Sequence, residues 1–339
     1  MTSTSTSVTA AVAGLALVAT VTMYAVFAGA DFGAGFWDLI AGGPQHGARV
    51  RGLAEHAIGP VWEANHVWLI FTLVIMWSAF PSAFAAVFLT LFVPLACAAI
   101  GIVLRGCGFA FRKVVRRTRR QQLFGATFAT SSVIVPFFMG TVAGGIASGR
   151  VPADGRGGDV WGSWLNPTSA LGGVLAVAVC AYLAAVYLTA DARRSGEPDL
   201  ERYFRHRAVV AAVVTGVIAV GGIGVLHSDA GYLSSELTSR ALPLVIASAV
   251  AGLAALGLVL RGVARTARAL AAAAAASVVW GWGVGQWPYL LPTSVRLDDA
   301  VAPRGTIIAL IVIIAMAAVT VIPSLVLLLL LEERGALEA

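Results

Sequence analysis

Long apolar stretches alternate with short polar ones along this chain, and the apolar stretches set its architecture. Uncharged runs near the ~20 residues that a helix needs to cross a bilayer fall at 8–30, 64–80, 84–104, 122–148, 165–190, 208–227, 241–260, 269–286 and 306–331. They predict an all-α integral membrane protein with about nine transmembrane helices, forming a single polytopic domain over residues 1–339. Only Phe80-Pro81-Ser82 separates the second span from the third, and the eighth is the weakest, built on Ala271 to Ala276 and then glycines.

Composition agrees with that pattern. Hydrophobic residues make up 59% of the chain and charged residues 12%, far from the balance of a soluble domain. The net charge of +6 could suggest nucleic acid, but that needs Lys and Arg clustered on one folded face. Here they sit in short segments between spans, so no nucleic-acid partner is expected. Nine spans put eighteen Lys and Arg on one side, chiefly in loops 105–120 and 191–207, and five on the other. Basic residues favour the cytoplasm, so the N-terminus is expected outside and the C-terminus inside. The leading MTSTSTS has no basic region, so the first span reads as retained rather than cleaved after Ala28-Gly29-Ala30. Cys97, Cys107 and Cys180 are dispersed and read as packing residues.

Two stretches carry candidate chemistry. "GADFGAGFWDL", Gly29 to Leu39, ends the first span with Asp31 and Asp38 two helical turns apart, and "IGPVWEANHVWLIF", Ile58 to Phe71, opens the second with Glu63. In the expected orientation the three acids meet near the cytoplasmic surface. Carboxylates at membrane depth are costly and by default mark ion or proton routes. Asp38, beside Trp37, reads as a solvated helix-end acid, and a helix N-terminus would stabilise Glu63 without any function. Asp31 is flanked by Gly29, Gly33 and Gly35, which allow another helix to approach closely and bury it, so a functional role is expected there.

Glu63 and His66 have the Glu-x-x-His spacing of di-iron bundles, but the second copy and the extra carboxylates are missing, so no metal site is expected. His46, His56 and His206 fall in charged loops and His227 at a helix end, which leaves His66 alone within a span. A bis-histidine haem cannot be assembled from that set. His66 reads as a hydrogen-bonded structural residue or a proton-relay member.

In order and spacing, "AGADFGAGFWDL", "IGPVWEANHVWLIF", "FPSAFA", "LRGCGFAFR" and "QWPYLLPTS" resemble subunit II of the cytochrome bd-type quinol oxidases. The resemblance covers about residues 20 to 325. It implies two four-helix bundles plus a peripheral helix, in the haem-free subunit of a heterodimer that oxidises quinol and reduces oxygen to water. Haems b and d, and the quinol-oxidising loop, would belong to a partner subunit I. No catalytic residue would lie in this chain, which would stabilise its partner and contribute acids to a cytoplasm-facing proton path. By the same resemblance Asp31, Glu63 and His66 would line that path, supported by Gly29, Gly33, Trp62, Asn65 and Trp68. Trp68 would be the candidate contact for a structural quinone or a lipid, and a small accessory subunit would be a further partner.

The chain departs from the family pattern at Ala28 and Ala110, where acids are frequent, and at His66, where Gln is common. Two other readings stand beside the oxidase. One is a proton-coupled transporter, which the absence of a convincing inverted repeat disfavours. The other is a purely structural scaffold for a divergent haem subunit.

Overall fold

The computed structural model describes residues 7–43, 47–58, 62–114 and 118–333, without the side chains of 56–58, 62–64, 112–114, 118–121, 322, 325, 328–330 and 332–333. The element order is α1 (Val8–Leu39), α2 (Ala48–Ile58), α3 (Trp62–Ala79), α4 (Pro81–Thr90), α5 (Phe92–Val114), α6 (Thr118–Ala147) and α7 (Pro167–Arg194). It continues with α8 (Pro198–Asp229), α9 (Gly231–Leu237), α10 (Leu242–Leu260) and α11 (Ala264–Gln286). A small antiparallel hairpin follows, β1 (Tyr289–Leu291) and β2 (Val295–Arg296), then α12 (Leu297–Ala300) and α13 (Arg304–Glu333).

The protein is an all-α, multi-pass membrane protein. Among the described residues, 8 helices are long and apolar enough to cross a membrane, and a ninth span results if the bent pair α3–α4 counts as one. That pair turns by 117° at Phe80-Pro81. Pro81 has no N–H to continue the ladder of α3, so the helix stops at Ala79 and a new one starts with proline in its first turn. The third span therefore runs over Phe92–Phe111 rather than 84–104.

Other departures share one physical cause, since a helix does not end where its side chains become charged. α1 runs on to Leu39, which places Asp31 two turns inside it. α5 runs through Arg105 to Val114, so much of the expected loop 105–120 is helical. α8 begins at Pro198, and His206, expected in a loop, lies on its third turn.

α5, α6, α7 and α8 pack as successive neighbours, and α10 pairs with α11. α1 touches α3, α6, α7 and α11, so it lies at the seam between a group formed with α3, α5 and α6 and a group of α7, α8, α10 and α11. α13 packs mainly on α3 and α1 at the edge. The larger core joins α1, α7, α8, α10 and α11, and a second core wraps α4, the hairpin and the start of α1. The outer face of α8 exposes Val210, Val213, Val214, Val217 and Val220, an apolar stripe suited to lipid.

At the end of the fold away from the α10–α11 turn, one carboxylate joins three segments. Asp229 accepts from both terminal nitrogens of Arg150, at 2.5 and 3.1 Å, and from the backbone N–H and hydroxyl of Thr168, at 3.0 and 2.6 Å. This ties the loop after α6 to the start of α7 and the end of α8. The Arg150 guanidinium is in turn pushed further toward its charged form by the Asp229 carboxylate.

Candidate functional site

The glycines of "GADFGAGFWDL" decide how close other helices come to α1. A methyl group on Gly33 would overlap the backbone carbonyl of Cys180 on α7 and come within 2.6 Å of the Ala184 side chain. One on Gly35 would overlap the Ser132 side chain on α6, and one on Gly29 would press on Leu183 at 3.0 Å. Gly108 in turn brings α5 against α6, where a methyl group would come within 2.9 Å of the Phe124 carbonyl. Without side chains at these points, three helices close around Asp31.

Asp31 is 4% exposed and faces Arg105, which is 1% exposed. The guanidinium grips the carboxylate with two nearly parallel bonds, Nη1 to Oδ2 at 2.7 Å and Nη2 to Oδ1 at 2.8 Å. Nη2 also donates to the Asp31 carbonyl at 3.1 Å, and Nε donates to the Ser132 hydroxyl at 2.9 Å. The Ser132 hydroxyl in turn donates to the Phe128 carbonyl at 2.7 Å. The rings of Phe32 and Phe128 lie 4.6 and 4.7 Å from the guanidinium carbon. Two desolvated charges are costly unless paired with good geometry and with their remaining donors bound; here the pair is bidentate and four of the five guanidinium N–H donors have partners. The aromatic faces add a favourable field for the cation. Tyr24 sits in the same pocket, ring to ring with Phe32, and its hydroxyl is buried without a partner.

α3 carries the second motif along α1. Asn65 is buried and its amide nitrogen donates to the Phe27 carbonyl at 3.4 Å, one turn before Asp31. Two further turns along each helix, the hydroxyls of Thr72 and Thr20 lie 3.1 Å apart.

The profile of the family described as cytochrome bd terminal oxidase subunit II matches residues 9–331. This chain belongs to that family. Over 220 residues it is 28% identical to the Cytochrome bd-I ubiquinol oxidase subunit 2 of Escherichia coli (strain K12), covering 62% of this chain and 55% of that one. Over 221 residues it is 26% identical to the Cytochrome bd ubiquinol oxidase subunit 2 of Bacillus subtilis (strain 168), covering 64% and 62%. The matches thus span between half and two thirds of those relatives. The bd oxidase structure from Geobacillus thermodenitrificans has the same fold, with a TM-score of 0.75 over 95% of this chain and 98% of that chain at 23% identity.

With the subunit II family established, the residues singled out in its motifs can be placed. Asp31, Gly29 and Gly33 are all buried on α1, the two glycines against α7 and Asp31 toward Arg105 of α5, and Asn65 and Trp68 share the buried face of α3. Trp68 is 8% exposed with its ring near Phe71, which leaves little indole surface for a lipid or quinone tail. His66 is partly buried on the same helix. The side chains of Trp62 and Glu63 lie outside the described residues, so Asp31 is seen with Arg105 and not with the acid expected as its companion.

Two readings of the sequence are corrected. Asp38 is 8% exposed and therefore not a solvated surface acid, because α1 continues past it and α2 and α7 cover that turn. The neighbouring Trp37 donates its indole N–H to the Ala181 carbonyl on α7 at 2.9 Å. Arg105, counted among the loop cations, is instead the most deeply buried charge of the site. Its signal lay in "LRGCGFAF", where a lone Arg is followed by six residues without charge, as a helix interior would require.

Proposed function

We propose that the chain is the haem-free subunit of a membrane complex that couples quinol oxidation to the reduction of oxygen to water. The match of the subunit II profile to residues 9–331 carries this reading. Its partner is a haem-bearing subunit I, in which haems b and d reside. Among the described residues of this chain no three His, Cys, Asp or Glu side chains gather. A structural quinone, lipid and a small accessory subunit are further components of the same reading. So is an orientation with the N-terminus outside and the C-terminus in the cytoplasm of a bacterial cell.

In this reading the chain does two things. It braces the partner by holding α1, α5 and α6 in register through the Asp31–Arg105 clasp and its bond to Ser132. It also supplies protons from the cytoplasmic side through Glu63 and His66, ionisable groups one turn apart on α3. Asp31 has both carboxylate oxygens occupied by Arg105, so it contributes a fixed, compensated charge beside the path. A purely structural scaffold is the second reading, and the completeness of that clasp favours it. Quinol-driven oxygen uptake by a Glu63→Gln complex with an intact haem spectrum separates the two. Slowed turnover supports proton delivery, and unchanged turnover across pH leaves the scaffold.

A further inference from the structure

A cavity of about 770 Å³ opens where the end of α7 meets the turn between α10 and α11. Five guanidiniums line it, those of Arg193, Arg194, Arg261, Arg265 and Arg268. The carboxylate of Asp191 is engaged by Arg194 and Arg268, and Arg193 donates to the Gly262 carbonyl. The side chains of Arg261 and Arg265 make no hydrogen bond or ion pair among the described residues, and the Nε of Arg268 is buried without a partner. The cavity wall therefore carries a large excess of positive charge and unfilled donors.

The turn that shapes this cavity is fixed. Gly262 closes α10 with φ +74, while its N–H bonds the Val259 carbonyl and that of Val263 bonds the Leu258 carbonyl, at 3.1 and 2.8 Å. This Schellman pairing needs the left-handed conformation that glycine adopts freely. α11 starts at the next residue with no side-chain cap, so its first amides add donors on the same side. Both α10 and α11 are long enough to cross a membrane, which puts the turn at a membrane surface. Leu260 and Val263 flank it, both exposed.

We propose that this pocket binds the phosphodiester head group of an anionic phospholipid. The ligand chemistry is a phosphate, which planar guanidiniums recognise through paired donors. Its source is lipid, because the pocket lies at head-group depth with apolar side chains beside it. Basic pockets between transmembrane helices bind such head groups. This inference goes beyond the oxidase reading and does not depend on it.

The test uses the protein as purified from its membrane, with the partner that accompanies it. Lipid retention is read by native mass spectrometry after exchange into phosphatidylcholine nanodiscs with or without phosphatidylglycerol. Wild type is expected to retain phosphatidylglycerol, and the double variant Arg261→Gln/Arg265→Gln to retain about thirtyfold less. Arg265→Lys, which keeps the charge, is expected to retain most of it. Arg296→Gln, away from the pocket, is expected to behave as wild type. Equal retention by wild type and the double variant overturns the proposal. So does thermal stabilisation by inorganic phosphate where phosphatidylglycerol gives none, which would assign the pocket to a soluble anion.

Discussion

Arg105 of α5 holds Asp31 of α1 through two parallel hydrogen bonds of 2.7 and 2.8 Å, and neither side chain is more than 2% exposed. The charges are worth most to each other when both are present. Removing either one leaves its partner buried and uncompensated, at a cost of about 3–5 kcal/mol. Asp31→Asn and Arg105→Gln are therefore each expected to lower thermal stability and the yield of assembled protein sharply. Asp31→Leu/Arg105→Leu should recover a large part of the loss. Single-variant costs that simply add in the double variant would show that the two side chains are not coupled.

Close packing at Gly33 makes a second expectation. Its added methyl would meet the Cys180 backbone, which cannot rotate away as a side chain can. Gly33→Ala should cost about 1–3 kcal/mol as α1 and α7 are forced apart. Gly216→Ala, at a position on α8 with open space around it, should cost nothing measurable. Thermal unfolding of the two variants in detergent checks the contrast. Equal stability would mean that the α1–α7 contact is looser than its geometry.

For Glu63 the expectation concerns proton transfer rather than folding. Glu63→Gln should slow steady-state oxygen consumption at least tenfold, while Glu63→Asp keeps an ionisable group and most of the rate. A shift of the pH profile in His66→Gln would place that imidazole on the same path. An unaltered profile would make His66 a packing residue.

At the opposite end of the fold, Asp229 joins Arg150 and Thr168. Asp229→Asn should cost about 2 kcal/mol, the scale of hydrogen bonds to a charged group. Proteolysis of the loop over residues 148–166 should also become faster. Cleavage at the wild-type rate would show that the loop is held by other contacts.

The class of the fold was legible because long uncharged runs have only one use in a chain this apolar, and the glycines around Asp31 announced a close helix approach before any coordinates. What was not legible follows from treating charge as the end of a helix. Arg105 and His206 both lie on helices that continue past the first charged residue, since an ion pair or a helix end beyond the bilayer removes the cost that would otherwise stop them. The partner of Asp31 lies 74 residues away and carries the opposite sign, so nothing in the local sequence around Asp31 marks it. Asp38 was misplaced for a similar reason, because the cover that α2 provides is tertiary and leaves no trace in local hydropathy.

The reading of the chain as an oxidase subunit rests most directly on what accompanies it. Purification of the affinity-tagged chain from its native membrane, followed by a reduced-minus-oxidised absorbance spectrum, is the decisive measurement. Co-purification of a second subunit with the bands of b- and d-type haems is expected, together with quinol-driven oxygen consumption. A chain that purifies alone and without haem would contradict the account.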